Sequence, residues 1–269
     1  MKVGLYASMF GKDPGSFPDI ESYIDLACDL RLDVIDLRSD VGFHDHDSDY
    51  LLRTKLRCLR AGLSVGYLAT VGHFVGSESD LEQKQAQVRQ DIDVAVALGA
   101  PMVRSFCGET PVEAAARSRE VECFQHVCDY AAGRGIVVGL QNHPCTGDGV
   151  LRLLGEVGRD NFMFILDTGQ WVGSPARNAG VPDADVDIYH FMEQTAHRAV
   201  HVRAKFYKID SGTEEWLDYD RIYAILAGAG FNGTLSVVFE GKGINHCDDR
   251  QVLSLAAAQL RRLTLGNAA

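Results

Sequence analysis

Polar side chains able to do acid–base or electrostatic chemistry follow apolar runs at four places in the second half of this chain. The segments are GIVVGLQNH (Gly135–His143), NFMFILDTGQW (Asn161–Trp171), AVHVRAKFYKID (Ala199–Asp210) and GTLSVVFEG (Gly233–Gly241). Apolar runs of this length, flanked by glycine, are typical of strands buried on both faces in a parallel sheet. Because consecutive parallel strands end at the same edge, these polar groups are predicted to form one site, as at the C-terminal rim of a barrel.

The polar residues that share a strand face define the expected rim. Alternate residues of a barrel strand point inward, and the inward set is predicted to be Arg38, Gln141, His143, Asp167, Arg203, Lys205 and Glu240. Carboxylates, cations, an imidazole and an amide in one place suit a polyhydroxylated or anionic substrate. The same groups supply an acid, a base and an electrophile for proton transfer next to a carbonyl.

The elements that must position these residues alternate along the whole chain, with strand and helix signals recurring eight times. Regular alternation predicts a parallel sheet, and the count predicts that the sheet closes. The fold class is therefore α/β, a single (β/α)8 TIM barrel over residues 1–269. An open doubly wound sheet is the alternative, but SMFGKDPGSF after the first strand lacks its GxGxxG fingerprint.

Two helix starts have clear capping signals. Ser79 with Glu82 three residues later predicts a capping box at the start of the third helix. Thr110, Pro111 and Glu113 combine a cap, a proline at the first helical position and a capping-box glutamate. The second group is the clearest helix start in the chain.

Composition disfavours several classes of protein. Hydrophobic residues make up 46% of the chain without one long apolar run, which predicts a large core and no membrane span. The first residues, MKVGLYASMFGKDPG, lack the features of a signal peptide. A net charge of −11 without a basic stretch argues against nucleic acid and favours a small-molecule partner. Seven cysteines without a CxxC pair predict free thiols in a reducing cytoplasm. The sequence neither requires nor excludes assembly into a homo-oligomer.

At its most specific motifs, the chain resembles the sugar phosphate isomerase/epimerase group of xylose-isomerase-like TIM barrels, related to endonuclease IV. The motifs are LQNH (140–143), LDTGQW (166–171), HVRAKFYKID (201–210) and FEG (239–241). The resemblance covers essentially the whole chain. It implies carbohydrate chemistry and a divalent cation held by Glu, Asp, His and Glu from the last four strands.

The chain departs from that pattern at most of the implied metal ligands. Asp167 matches, but Gln141, Arg203 and Val238 stand at the other three positions. A guanidinium is always charged and has no lone pair to offer a metal. We therefore predict that no cofactor is bound and that Arg203 pairs with Asp167 in place of the ion. A divalent metal (Mn, Mg, Co or Zn) is the alternative, with Gln141, Asp167 and Glu240 as its ligands.

The resemblance and the rim together give the expected roles. Catalytic roles are predicted for Asp167, Glu240, Lys205, Arg203 and His143. Substrate-binding roles are predicted for Arg38, Gln141, Gln170 and Trp171. Trp171 has two interpretations, stacking on a sugar face or closing the barrel mouth.

Other polar residues favour structural interpretations. Asp36 and Arg38 are expected to pair with each other, and His201 to lie in the lower core. His44–Asp47 (HDHD) is interpreted as a solvated loop with a capping aspartate rather than a metal cluster. Trp216 is expected to anchor the seventh loop.

Three functions compete. The leading prediction is an isomerase, epimerase or lyase acting on a sugar, keto-sugar or polyol by proton transfer next to a carbonyl. The alternative is a non-catalytic sugar-binding paralogue, which the lost metal ligands favour. DNA repair of the endonuclease IV type is disfavoured, because the rim has too few ligands for several metal ions.

Overall fold

Eight parallel strands close into a barrel in the order of the chain, with β1 paired to β8. This architecture comes from a computed structural model that describes residues 1–7, 19–70, 72–107 and 114–266. The strands are β1 Lys2–Tyr6, β2 Val34–Arg38, β3 Ser64–Ala69, β4 Met102–Phe106, β5 Val137–Gln141, β6 Phe162–Asp167, β7 Ala199–Phe206 and β8 Thr234–Phe239. The closing pair confirms the predicted (β/α)8 barrel and excludes the open sheet.

A helix follows each strand and covers the outside of the barrel. The helices are α1 Ile20–Asp29, α2 Ser48–Arg60, α3 Glu78–Leu98, α4 Ala114–Ala132, α5 Gly147–Val157, α6 Ile188–Thr195, α7 Tyr219–Gly228 and α8 Asp249–Gly266. The main apolar core lies between these helices and the sheet. A separate cluster fills the inside of the barrel, formed by Tyr6, Tyr67, Ala69, Met102, Ile165 and Val238.

The predicted capping box of α3 is shifted by two residues. The Ser77 hydroxyl accepts from the Asp80 backbone, and the Asp80 carboxylate accepts from the Ser77 backbone, so this pair rather than Ser79 and Glu82 starts the helix. In this capping box the side chain that accepts from the N-cap backbone belongs to Asp80, whereas the sequence predicts Glu82. The predicted start of α4 at 110–113 lies outside the described residues.

A buried polar layer inside the barrel corrects another expectation. Asp36 Oδ2 lies 2.9 Å from His201 Nε2, which is also 3.0 Å from Ser236 Oγ. Arg38 instead binds Asp40 at the surface, with Nη2 2.7 Å from Oδ2. Asp36 and Arg38 therefore do not pair, because the two side chains reach different depths. His201 is buried, as predicted for a structural residue.

The loop residues behave largely as expected. Asp47 caps α2 by accepting from the Tyr50 backbone, and Trp216 stacks on Tyr207 with ring centroids 5.3 Å apart. All seven cysteines are free thiols. Within the described ranges, no helix is long and apolar enough to cross a membrane.

Candidate active site

Asp167 lies at the centre of the polar network in the barrel mouth. Its Oδ2 accepts from Arg203 Nε at 2.9 Å and from Gln141 Nε2 at 2.8 Å. Its Oδ1 accepts from the Gly169 backbone at 3.0 Å. The Asp167 side chain is 0% exposed and the Arg203 side chain only 3%, so the predicted contact between the two is present and hidden from solvent.

Lys205 connects this buried network to the open mouth. Its Nζ lies 3.6 Å from Asp167 Oδ2 and also donates to Glu240 Oε1. The Lys205 side chain is 1% exposed, whereas that of Glu240 is 39% exposed. Gln170 Nε2 reaches the second oxygen of Glu240 at 3.4 Å. Glu240 is thus a solvent-facing carboxylate whose Oε1 is held by a buried ammonium group.

Two tyrosines inside the barrel hold Arg203 from the other side. Arg203 Nη1 donates to the Tyr67 hydroxyl, and Arg203 Cζ lies 4.0 Å from the centroid of the Tyr6 ring. Burial raises the pKa of the Tyr6 phenol, yet that pKa lies below its ordinary value because nearby positive charges outweigh burial. The charges belong to Arg104, Arg203, Arg38 and Lys205, in decreasing order of effect.

Arg104 on β4 is the site residue that the sequence argument missed. Its Nη1 donates to Gln141 Oε1 at 2.6 Å, which joins it through Gln141 to Asp167. The signal was present in PMVRSFC, where one arginine stands in the middle of an apolar strand. Tyr6 and Tyr67 gave no such signal, because an aromatic residue in a strand is most often core.

His143 lies at the edge of the mouth rather than on β5. The strand ends at Gln141, and the exposed imidazole of His143 packs near the Phe106 ring with centroids 5.4 Å apart. Removal from water lowers the pKa of His143; the Asp167 carboxylate opposes this, and Lys205 adds to it. The ring is therefore neutral near pH 7 and able to accept a proton.

Trp171 does not line the mouth. It is 0% exposed and packs between the rings of Phe164 and Phe191, with centroids 6.1 Å and 5.7 Å away. Neither stacking on a sugar nor closing the mouth fits this position. The apolar packing between β6 and α6 explains the tryptophan.

The divalent metal implied by the sequence motifs does not fit the residues of this site. Arg203 stands at one of the implied ligand positions and donates to Asp167 Oδ2. Val238 occupies another and belongs to the apolar cluster inside the barrel. Divalent cations need oxygen, imidazole or thiolate ligands. Among the described residues of the mouth, the one buried carboxylate, that of Asp167, already lies against Arg203 and Lys205.

One group of possible metal ligands lies elsewhere in the described residues. Single ligand atoms of Asp19, Glu21 and His44 lie within 4.8 Å of one another at the start of α1 and the loop after β2. His44 is exposed and the two carboxylates are partly exposed. This group is outside the barrel mouth and takes no part in the network around Asp167.

A family model described as xylose isomerase-like TIM barrel matches residues 28–262. The chain belongs to this family. The membership confirms the resemblance carried by LQNH, LDTGQW, HVRAKFYKID and FEG. No curated protein matches the chain in sequence.

Several solved structures share the fold across nearly the full chain. A xylose isomerase domain protein from Planctomyces limnophilus is 16% identical, with a TM-score of 0.77 and coverage of 99% of this chain and 98% of that one. A D-psicose 3-epimerase with D-tagatose from Clostridium cellulolyticum H10 is 16% identical, with a TM-score of 0.75 over 98% and 99%. A probable 3-DHS dehydratase from Bacillus anthracis is 17% identical, with a TM-score of 0.70 over 98% and 99%.

Proposed function

We propose that the protein catalyses proton transfer next to a carbonyl in a sugar, keto-sugar or polyol, as an isomerase, epimerase or carbon–oxygen lyase. The observation that carries this proposal is the Lys205–Glu240 pair at the boundary between the buried network and the open mouth. A solvent-facing carboxylate beside a buried cation can remove a proton while the cation stabilises the developing oxygen charge. The epimerase and dehydratase structures with the same fold support this class of chemistry.

Glu240 is the better base of the two carboxylates. Both oxygens of Asp167 already accept hydrogen bonds from Arg203, Gln141 and the Gly169 backbone, and the group is fully buried. Glu240 faces solvent, and the one hydrogen bond that its Oε2 accepts from the described residues is the 3.4 Å contact with Gln170. In the proposed step, Glu240 takes the proton from the carbon next to the carbonyl. The electrons of the broken C–H bond form a C=C bond, and the π electrons of the carbonyl move to its oxygen, which gives an enolate.

Lys205 is the proposed direct partner of that oxygen. Its Nζ lies at the mouth and already binds a carboxylate oxygen of Glu240. Arg203 is held behind it by Asp167, Tyr67 and the Tyr6 ring, and acts as a fixed positive charge. His143 is the proposed acid on the opposite face of the intermediate: the neutral ring takes up a proton from solvent and, as the imidazolium, donates it to carbon.

We propose that this catalysis proceeds without a divalent metal. Arg203 and Lys205 supply positive charge where the family resemblance expects an ion. We expect purified protein to contain far less than one equivalent of Mn, Mg, Co or Zn, and activity to survive a chelator. Near-stoichiometric metal together with loss of activity on chelation would reject this part of the proposal.

The second candidate is a non-catalytic sugar-binding protein. Replacement of the expected metal ligands by Gln141, Arg203 and Val238 favours it. Two charge pairs are nevertheless present in the mouth, Asp167 with Arg203 and Lys205 with Glu240. A binding protein would retain affinity for a sugar but would not exchange carbon-bound hydrogen.

The deciding experiment follows deuterium entry from D₂O into keto-sugars, aldoses and 3-keto-glycosides by NMR. We expect exchange with at least one sugar, and its loss in Glu240→Gln and Lys205→Met. Glu82→Gln, an exposed carboxylate on α3, is the matched control and should keep the exchange. Sugar binding without exchange, or exchange that survives both mouth variants, would support the binding-protein alternative.

A further inference from the structure

Arg104 differs from the other cations of the mouth in its charge balance. Arg203 is paired with Asp167, Lys205 with Glu240, and Arg38 with Asp40. Among the described residues, no carboxylate oxygen lies within ion-pair distance of Arg104. Within the described residues, the Arg104 guanidinium makes one hydrogen bond, from Nη1 to the neutral amide oxygen of Gln141.

The surroundings of the Arg104 guanidinium leave its Nε–Nη2 edge without a hydrogen-bond partner among the described residues. Arg104 Cζ lies 5.2 Å from the Phe106 ring centroid and 5.9 Å from that of Tyr6, so two aromatic rings flank it. Its Nε is buried without a hydrogen-bond partner in the described part of the chain. With Nη1 bound to Gln141, the Nε–Nη2 edge keeps the fork geometry that binds carboxylate or phosphate through two parallel bonds.

An unpaired cation in this position is costly. Burial lowers the pKa of Arg104, and the positive charge of Arg203 adds to this, while Tyr6 opposes it. A buried charge without a partner destabilises a fold unless a ligand completes the pair. The remaining charges near Tyr6 are also positive, which makes the local field attractive to an anion.

We propose that the substrate is an acidic sugar whose carboxylate or phosphate binds the Nε–Nη2 edge of Arg104. This inference rests on the proposed function, because the anion would orient the sugar so that its carbonyl meets Lys205 and Glu240. Carboxylate and phosphate each present two oxygens that a guanidinium can bind through two parallel hydrogen bonds. Arg104 is thus a specificity-determining residue.

The test compares sugars that differ in charge by isothermal titration calorimetry. The probes are D-fructose, 2-keto-D-gluconate, D-fructose 6-phosphate and inorganic phosphate. One of the two anionic sugars should bind roughly tenfold to a hundredfold more tightly than D-fructose, as a charge-assisted bidentate contact predicts. Which of the two is preferred identifies the anion, and binding of phosphate alone would favour the phosphorylated sugar.

Variants of Arg104 then assign the preference to this residue. Arg104→Met should remove the advantage of the anionic sugar, and Arg104→Lys should retain only part of it. The melting temperature of Arg104→Met should equal or exceed that of wild type, because an unpaired buried charge is removed. Arg60→Met, an exposed arginine on α2, is the control and should keep the preference.

The outcomes separate this proposal from the proposed function. If neither anionic sugar binds more tightly than D-fructose, or if Arg104→Met keeps the preference, the anion site is wrong. If the anion preference depends on Arg104 but no bound sugar exchanges deuterium, the anion site is supported and the proposed proton transfer is rejected. If neutral sugars exchange deuterium and no anion preference is found, the proton transfer is supported and the anion site is rejected.

Discussion

Arg203 and Asp167 are each so buried that neither can exchange its partner for water. Replacing one member of such a pair leaves the other charge in a poorly solvated place, at a cost of roughly 3–5 kcal/mol. Lys205 Nζ stays 3.6 Å from Asp167 Oδ2 when Arg203 is removed, which offsets part of the loss. The expected cost therefore lies near the lower end of that range.

We predict that Arg203→Met lowers the free energy of unfolding by about 3 kcal/mol in urea titrations. The matched control is Arg159→Met, which breaks the exposed Arg159–Asp129 pair and should change stability little. Combining Arg203→Met with Asp167→Asn should cost less than the sum of the two single changes. Similar losses for Arg203→Met and Arg159→Met would contradict the electrostatic coupling.

At the scale of the strand, Gly66 on β3 makes room for the buried Asp36–His201 pair. A Cβ at this position would meet Asp36 Oδ1 and would lie 2.7 Å from Val34 Cγ1 and 3.1 Å from His201 Cε1. These atoms belong to a packed strand and to a hydrogen-bonded layer, so they have little freedom to move. The glycine is required here for close approach of the side chains rather than for a turn.

Gly66→Ala should therefore destabilise the barrel by about 1–3 kcal/mol, as overpacking does in other cores. Gly155→Ala on α5 is the opposite case, since nothing lies within 4 Å of the added Cβ. That substitution should stabilise the protein by roughly 0.5–1 kcal/mol through helix propensity. Thermal unfolding of the two variants measures both effects, and a neutral Gly66→Ala would show that the polar layer can shift.

At the scale of the whole molecule, buried carboxyls away from the mouth make stability depend on pH. Burial raises the pKa of Glu120 on α4 from 4.5 to about 7, with Arg117 opposing and Glu156 adding to the shift. The folded protein thus binds a proton that the unfolded chain releases near pH 4.5. This contribution to stability is fully present below the unfolded pKa and is lost as pH rises through the folded pKa.

Glu120→Gln should remove that dependence. The variant should match wild type near pH 4 and exceed its unfolding free energy by roughly 2–3 kcal/mol near pH 8. Glu122→Gln, an exposed neighbour on the same helix, is the control and should leave the pH profile unchanged. Parallel wild-type and Glu120→Gln profiles across this pH range would show that the Glu120 carboxyl titrates normally.

Several residues of the site can be predicted from the sequence, because side chains in a strand alternate between its two faces. Two-residue alternation placed Asp167, Arg203 and Lys205 on one inner face, and the structure joins them by direct contacts. The motif LDTGQW also predicts a substrate-binding role for Trp171, but this side chain packs against Phe191 of α6, outside the barrel. Two-residue alternation predicts which side of the sheet a side chain faces only within a strand. Trp171 lies four residues beyond Asp167, where β6 ends, so alternation does not apply to it.

The eight-fold alternation of elements, the closed barrel class and the family can be predicted from the chain, because each follows from local patterns repeated along it. The sequence also shows that Arg203, at an implied ligand position, cannot bind a metal, since that is a property of the guanidinium alone. The folded barrel, in contrast, brings Tyr6, Tyr67 and Arg104 from three other strands to the same mouth, which no local pattern predicts. Which charges are paired, and that Arg104 has no carboxylate partner among the described residues, depends on distances across the barrel that spacing along the chain does not record.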